Sequence, residues 1–151
     1  MRGIWAVEPS AAALRLARER REASAVPVTI AGDDAQRLDL PDARFDAALC
    51  TWTLCGVPDP VAALREVARV LRPGAALHLL EHGLAPDERT ARWQRRGNRL
   101  DLRLAGCVLD RDVPALLAEA GFAVVDLRTG VEPGTPRVSG YTYEARAVPV
   151  R

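Results

Sequence analysis

The sequence predicts an α/β fold with a mostly parallel sheet whose last strand runs antiparallel to its neighbours. Short apolar runs alternate with helical patterns from residue 4 to residue 80. Turn and capping residues punctuate that alternation at the places where βα units need them. The last two strand-like segments are joined by only about 8 to 10 residues, too few for a right-handed crossover with its helix, so this pair should be antiparallel.

The elements follow in order. Ile4 to Val7 is a short apolar run ending at Glu8, and Pro9-Ser10 supplies a turn and an N-cap for the Ala-rich helix Ala11 to Glu22. Val26 to Ala31 reads as the second strand, broken by Gly32-Asp33-Asp34, and Phe45 to Cys50 as the third. Asp59-Pro60 is a cap followed by proline at the first helical position, and Leu64, Val67, Ala68 and Leu71 recur on one face of the helix, with Pro73-Gly74 as its stop. Ala76 to Leu80 supplies the next strand, closing at Glu81-His82.

Glu88 to Leu104 fits a helix with Trp93, Leu100 and Leu104 on one face, although Gly97-Asn98 interrupts it. Asp110 is the expected cap of a shorter helix holding Pro114, with Gly121 as its stop. Phe122 to Leu127 alternates like a strand, residues 132–136 form a loop, and Val138 to Val148 makes the final strand.

A length of 151 residues suits one domain, so residues 1–151 are read as a single unit. Hydrophobic residues at 48% and charged residues at 27% are ordinary for a globular chain. A net charge of +1 gives no electrostatic reason to expect nucleic acid or an anionic membrane as partner. All 21 basic residues are arginine, a composition that reads as coding bias. No apolar run approaches the roughly 20 residues of a spanning helix. Cys50, Cys55 and Cys107 form an odd set without CxxC spacing, which points to reduced thiols in the cytoplasm and, with only two histidines, away from a metal centre.

Several residues carry possible chemistry, each with a plainer role beside it. Glu8, at the carboxyl end of a parallel strand, suits the paired hydroxyls of a ribose, or serves only the helix terminus next to it. The segment Gly32-Asp33-Asp34-Ala35 suits an adenine, through a carboxylate acceptor and a neighbouring backbone donor, or forms a solvated Asp-rich turn. Taken together, two successive acidic strand ends favour a nucleoside pocket. His82 beside Glu81 is a candidate general base or a structural residue, and His78 is read as a core or edge residue without chemistry. Cys107 is a buried thiol or a pocket wall. Arg92, Arg95, Arg96, Arg99 and Arg103 form a helical basic stripe, functional or merely solvated, with Trp93 opposite as a core contact or part of a substrate lid. No catalytic residue stands out.

Segments Ala6-Val7-Glu8-Pro9-Ser10, Gly32-Asp33-Asp34-Ala35, Phe45-Asp46 and Leu71-Arg72-Pro73-Gly74 occur in an order that resembles the class I methyltransferases, especially their methyltransferase-11 branch. Cys50-Thr51, Leu54-Cys55, Glu81-His82, Trp93-Gln94, Gly106-Cys107 and Gly140-Tyr141 look closer still to the methyltransferase-like thiol methyltransferases. The resemblance implies a Rossmann-like sheet in the order 3-2-1-4-5-7-6 with helices on both faces, and S-adenosylmethionine as cofactor. It implies ribose binding by Glu8, adenine binding by Asp34 and Ala35, and a methionine-facing role for Thr51 and Trp52. His82, Trp93 and Cys107 are then candidates for the acceptor side, the acceptor being a small molecule and possibly a thiol.

The 151 residues contain no GxGxG-type loop, and Gly3 alone does not replace one. The family pattern would put that loop, its strand and its helix before Met1, and the domain is therefore expected to be incomplete at its N-terminus. Two strand edges would lose a shared partner, and cofactor binding by this chain alone should be impaired. Two other readings stay open: a degenerate, non-catalytic module of the same fold, and a fragment of a dinucleotide-dependent oxidoreductase, which the Gly32–Ala35 segment and the antiparallel end disfavour.

Overall fold

A computed structural model describes residues 2–104 and 106–150, with the backbone alone for 99–104. The elements are β1 (Ile4–Val7), α1 (Ala11–Glu22), β2 (Val28–Gly32), β3 (Phe45–Thr51), α2 (Pro60–Val70), β4 (Leu71–His82), α3 (Glu88–Leu104), α4 (Val113–Glu119), β5 (Phe122–Val131), α5 (Arg137–Gly140) and β6 (Tyr141–Pro149). Among the described residues the strands form two sheets, a β1-β2 pair and a four-stranded sheet in the order β3-β4-β6-β5. β1 and β2 are parallel, as are β3 and β4, while β6 runs antiparallel to both β4 and β5. Counting β1 as the second strand of the implied series, the two sheets read 3-2 and 4-5-7-6, and the closing strands are antiparallel as their short connection requires.

Local signals start the helices. The Ser10 hydroxyl accepts from the Ala13 N–H ahead of α1, and Asp59 accepts from the Ala62 N–H with Pro60 at the start of α2. Helix α4 is capped by Asp112, whose side chain accepts from the Ala115 N–H, and not by Asp110. Asp110 is drawn off to accept from the Asn98 side chain instead, at 2.6 Å. Helix α2 stops at Val70, before Pro73-Gly74, because Leu71 already pairs with Phe45 in the sheet. Pro73 and Gly74 then lie inside β4 at a break where the register passes from Phe45↔Leu71 to Ala47↔Ala76, with Gly74 at φ +79°. Residues 137–140 form a helical turn, so the final strand begins at Tyr141 and not at Val138.

Helices α2 and α4 pack on one face of the larger sheet around Leu64, Leu71, Leu77 and Leu117, all at 0% exposure. On the other face Leu49, His78 and Arg146 stand side by side across three strands, all exposed, which places His78 in solvent and not in the core. The first buried residue of the described chain is Leu54. Helix α1 buries none of its residues, and Leu16 is 85% exposed. Among the described residues no strand ladder joins β1 to β3. Trp5 meets Phe45 edge to face at 5.5 Å, the Arg44 guanidinium lies 5.1 Å over the Trp5 ring, and the Asp59 N–H donates to Gln36 Oε1 at 2.8 Å.

Stability should follow this division. Leu64→Ala is expected to cost about 2–5 kcal/mol in urea unfolding, through lost burial and a residual cavity. Leu16→Ala should stay within about 0.5 kcal/mol of the parent, as an exposed position far from any core.

Candidate functional site

The candidate groups of the first four strands lie at or just past the carboxyl end of a strand, the end at which open α/β sheets bind ligands. Glu8 and Asp34 are brought together as the sequence suggests. β1 and β2 pair in parallel, and the Glu8 N–H donates to the Gly32 carbonyl at 3.1 Å, extending the register past β1. Glu8 Oε1 accepts from the Ser10 N–H at 2.8 Å, so this carboxylate also supports the start of α1. Its Oε2 has no hydrogen bond among the described residues. Asp34 Oδ1 accepts from the Gln36 side chain and backbone N–H at 3.1 and 2.8 Å, bonds that hold its carboxyl below the ordinary value. An ionised acceptor is thus exposed two residues past β2, with Ala35 half-buried beside it.

The segment from Asp34 to the start of β3 is fastened by α2. Glu66 Oε2 accepts from the Leu38 N–H at 2.8 Å, while the Arg69 guanidinium donates to the Leu38 and Leu40 carbonyls at 2.9 and 2.8 Å and pairs with Glu66 and Asp42. The Arg69 hydrogen bond lowers the Glu66 pKa.

Beyond β3 the chain turns sharply. Trp52 has φ +50°, a left-handed conformation uncommon for a bulky residue, and is held there by its N–H bond to the Leu80 carbonyl at 3.0 Å. Its ring lies against His82, with centroids 4.3 Å apart. Glu81 is fully buried, and its Oε1 accepts from the Thr53 N–H at 2.7 Å and the Cys50 thiol at 3.3 Å. Burial raises the pKa of Glu81 and of the Cys50 thiol, and pushes the Cys55 thiol up to about 12. Cys55 Sγ lies 3.4 Å from Cys107 Sγ, and donor atoms of Cys55, His82 and Cys107 all fall within 4.8 Å of one another. Burial also keeps the His82 pKa low, against the raising influence of Glu132.

The wall after β4 is built from residues whose roles the sequence did not reveal. Buried Gln94 accepts from the Ala85 N–H at 2.9 Å and donates to the Gly83 carbonyl at 3.0 Å. Asn98 Oδ1 accepts from the Leu109 N–H at 2.9 Å, and Arg111 donates to the Val57 carbonyl at 2.6 Å. The Tyr143 hydroxyl donates to the Leu84 carbonyl, and a Cβ on Gly83 would stand 2.5 Å from the Tyr143 ring. Helix α3 presents Ala91 and Gln94 inward, so Trp93 is 56% exposed and is not a core contact. Trp93 lines a separate surface cleft of about 460 Å³ with Asp87, Thr90, Arg137 and Val138, apart from His82 and Cys107. Arg92, Arg95 and Arg96 are exposed, Arg95 near Glu88 and Arg96 over the Trp93 ring. The side chains of Arg99, Leu100, Arg103 and Leu104 lie outside the described residues.

Residues 2–79 match the family model described as a methyltransferase domain, and the chain belongs to that family. Human thiol S-methyltransferase TMT1B is 34% identical over 102 residues, covering 66% of this chain and 41% of its own length. The ubiquinone/menaquinone biosynthesis C-methyltransferase UbiE of Chromobacterium violaceum is 36% identical over 80 residues, 52% of this chain and 32% of that protein. The chain thus spans about two-fifths or less of these relatives. In structure, a Methanosarcina mazei protein titled a SAM-dependent methyltransferase superposes with a TM-score of 0.74 at 20% identity, over 98% of this chain and 82% of that one. The [4+2]-cyclase SpnF superposes with a TM-score of 0.70 at 21% identity, over 99% and 68%. Those likenesses establish the Rossmann-like class I fold.

The α2 anchor gives a pH-dependent test. Because the folded pKa of Glu66 is depressed, its stabilisation is present above the ordinary value of 4.5 and is lost as acidification passes the lower folded value. Glu66→Gln should flatten that limb of the stability-versus-pH curve, and Arg69→Ala should cost about 1–3 kcal/mol at neutral pH by urea unfolding.

Proposed function

We propose that this chain belongs to a domain that carries out S-adenosylmethionine-dependent methyl transfer to a small thiol. The observation that carries the cofactor reading is the placement of Glu8 and Asp34 at the carboxyl ends of paired parallel strands, each with one carboxylate oxygen lacking a hydrogen bond among the described residues. In this reading Glu8 accepts from the ribose hydroxyls, Asp34 accepts from the adenine amino group with Ala35 beside the ring, and Thr51 and Trp52 face the methionine part. When bound, the cofactor supplies an electrophilic sulfonium methyl. The chain's own part is to hold the acceptor in line with that methyl and to exclude water. In this reading His82, under the Trp52 ring, and Cys107 lie on the acceptor side, while Trp93 lines a separate cleft. The thiol specificity rests on the similarity to TMT1B, and the three free thiols suit a reducing compartment.

The chain alone is proposed to hold the cofactor weakly. Its 151 residues include no glycine-rich loop to bring backbone N–H groups against the ligand, and the β1-α1-β2 unit buries no residue.

Calorimetry with S-adenosylmethionine should give little heat for the chain itself. A chimera carrying the strand, glycine loop and helix of a family relative ahead of β1 should bind measurably, and Glu8→Ala in it should weaken binding at least about tenfold, or 1.4 kcal/mol. With radiolabelled methyl donor the chimera should modify a small apolar thiol in preference to a phenol or an amine. Preference for an amine or phenol would refute the thiol, and binding indifferent to Glu8 would refute the pocket.

A further inference from the structure

We propose that Cys55, His82 and Cys107 form a site for one divalent ion of the zinc class. The three donors come from separate parts of the chain: the turn after β3, the last residue of β4, and the segment after α3. Their donor atoms lie within 4.8 Å of one another, and the two sulfurs are 3.4 Å apart. Tetrahedral coordination with Zn–S near 2.3 Å puts two sulfurs about 3.8 Å apart, so an ion needs only a small opening of this pair.

Chemistry favours that occupant. Two thiolates and an imidazole are a borderline-soft set, suited to zinc and ill suited to magnesium or calcium. His82 Nδ1 is buried and has no hydrogen-bond partner among the described residues, as expected of a nitrogen kept for a ligand. The surroundings are built: Trp52 covers the imidazole, Cys55 is 1% exposed, and Arg111, held by the Val57 carbonyl, offsets nearby negative charge. A divalent ion binds the two cysteines as thiolates, with their thiol protons released to solvent. His82 and Cys107 are only half-buried, so the fourth position faces solvent, the arrangement of an open site and not a closed structural one.

The site stands independently of the methyl-transfer reading, and its test needs no methyl donor. The 151-residue chain is reduced, stripped with chelator and titrated anaerobically with Co²⁺. About one equivalent should bind, with thiolate-to-cobalt charge transfer and tetrahedral d–d absorption that Zn²⁺ abolishes by displacement. Cys107→Ser and His82→Gln, both at half-buried positions, should each weaken Co²⁺ affinity more than about tenfold. Cys50→Ser, outside the cluster, should leave it unchanged. Absence of the thiolate bands overturns the proposal, as does binding unaffected by both ligand variants. So does a Cys55–Cys107 disulfide that, once reduced, still yields a chain taking up no cobalt.

Discussion

A buried carboxyl group needs hydrogen bonds from the protein, and one oxygen of Glu81 takes them from the end of the neighbouring strand and the turn that follows it. Its Oε1 holds the Thr53 N–H and the Cys50 thiol, which ties the end of β3 to the end of β4 below the site. Trp52 lies between those two donors, and its left-handed backbone is the cost of turning the chain so tightly. That turn delivers Trp52 onto His82 and Cys55 next to Cys107. The placement of Trp52, His82, Cys55 and Cys107 therefore depends on one buried acid.

The amino-terminal unit obeys a different balance. A βαβ segment buries its helix against one face of a sheet, yet a two-stranded sheet offers little area and two open edges. β1, α1 and β2 accordingly contain no buried residue. They are held to the rest by the Trp5–Phe45 contact, by Gln36 on the Asp59 amide, and by the Glu66–Arg69 anchor. Polar fastening of this kind fixes geometry well but adds little of the apolar burial that stabilises the four-stranded sheet.

What was legible in the sequence was what neighbouring residues decide. Ser10 and Asp59 cap their helices because a cap needs only the next three residues, and Glu8 and Asp34 fall at strand ends because the strands end there. The antiparallel closing pair followed from connection length alone. Tertiary contacts decided the rest. Asp110 and Asp112 are equal candidates for the cap of α4 until Asn98 engages the first of them. Trp93 outranks Gln94 on any hydrophobicity scale, yet Gln94 turns inward because Gly83 and Ala85 present backbone groups that only an amide satisfies together. Pairing of Phe45 with Leu71 ended α2 before its proline. The nearness of Cys55, His82 and Cys107 was invisible for the same reason, since spacing rules register ligands on one segment and these come from three.

Sheet polarity explains where the functional groups gather, but not what they do there. Residues following parallel strands emerge on one edge whatever their chemistry, so fold neighbours as different as a methyltransferase and a [4+2]-cyclase share it. The discriminating information lies in the side chains added to that edge. Here they divide into two sets by solvation: a half-buried carboxylate after β1 and an exposed one past β2, and a more buried sulfur and imidazole set at the ends of β3 and β4. A polar nucleoside and a soft thiol make opposite demands on their surroundings, the first for ionised acceptors near water and the second for a drier setting. Among the described residues the two sets belong to separate ladders, β1-β2 and β3-β4, so one fold provides both kinds of surrounding.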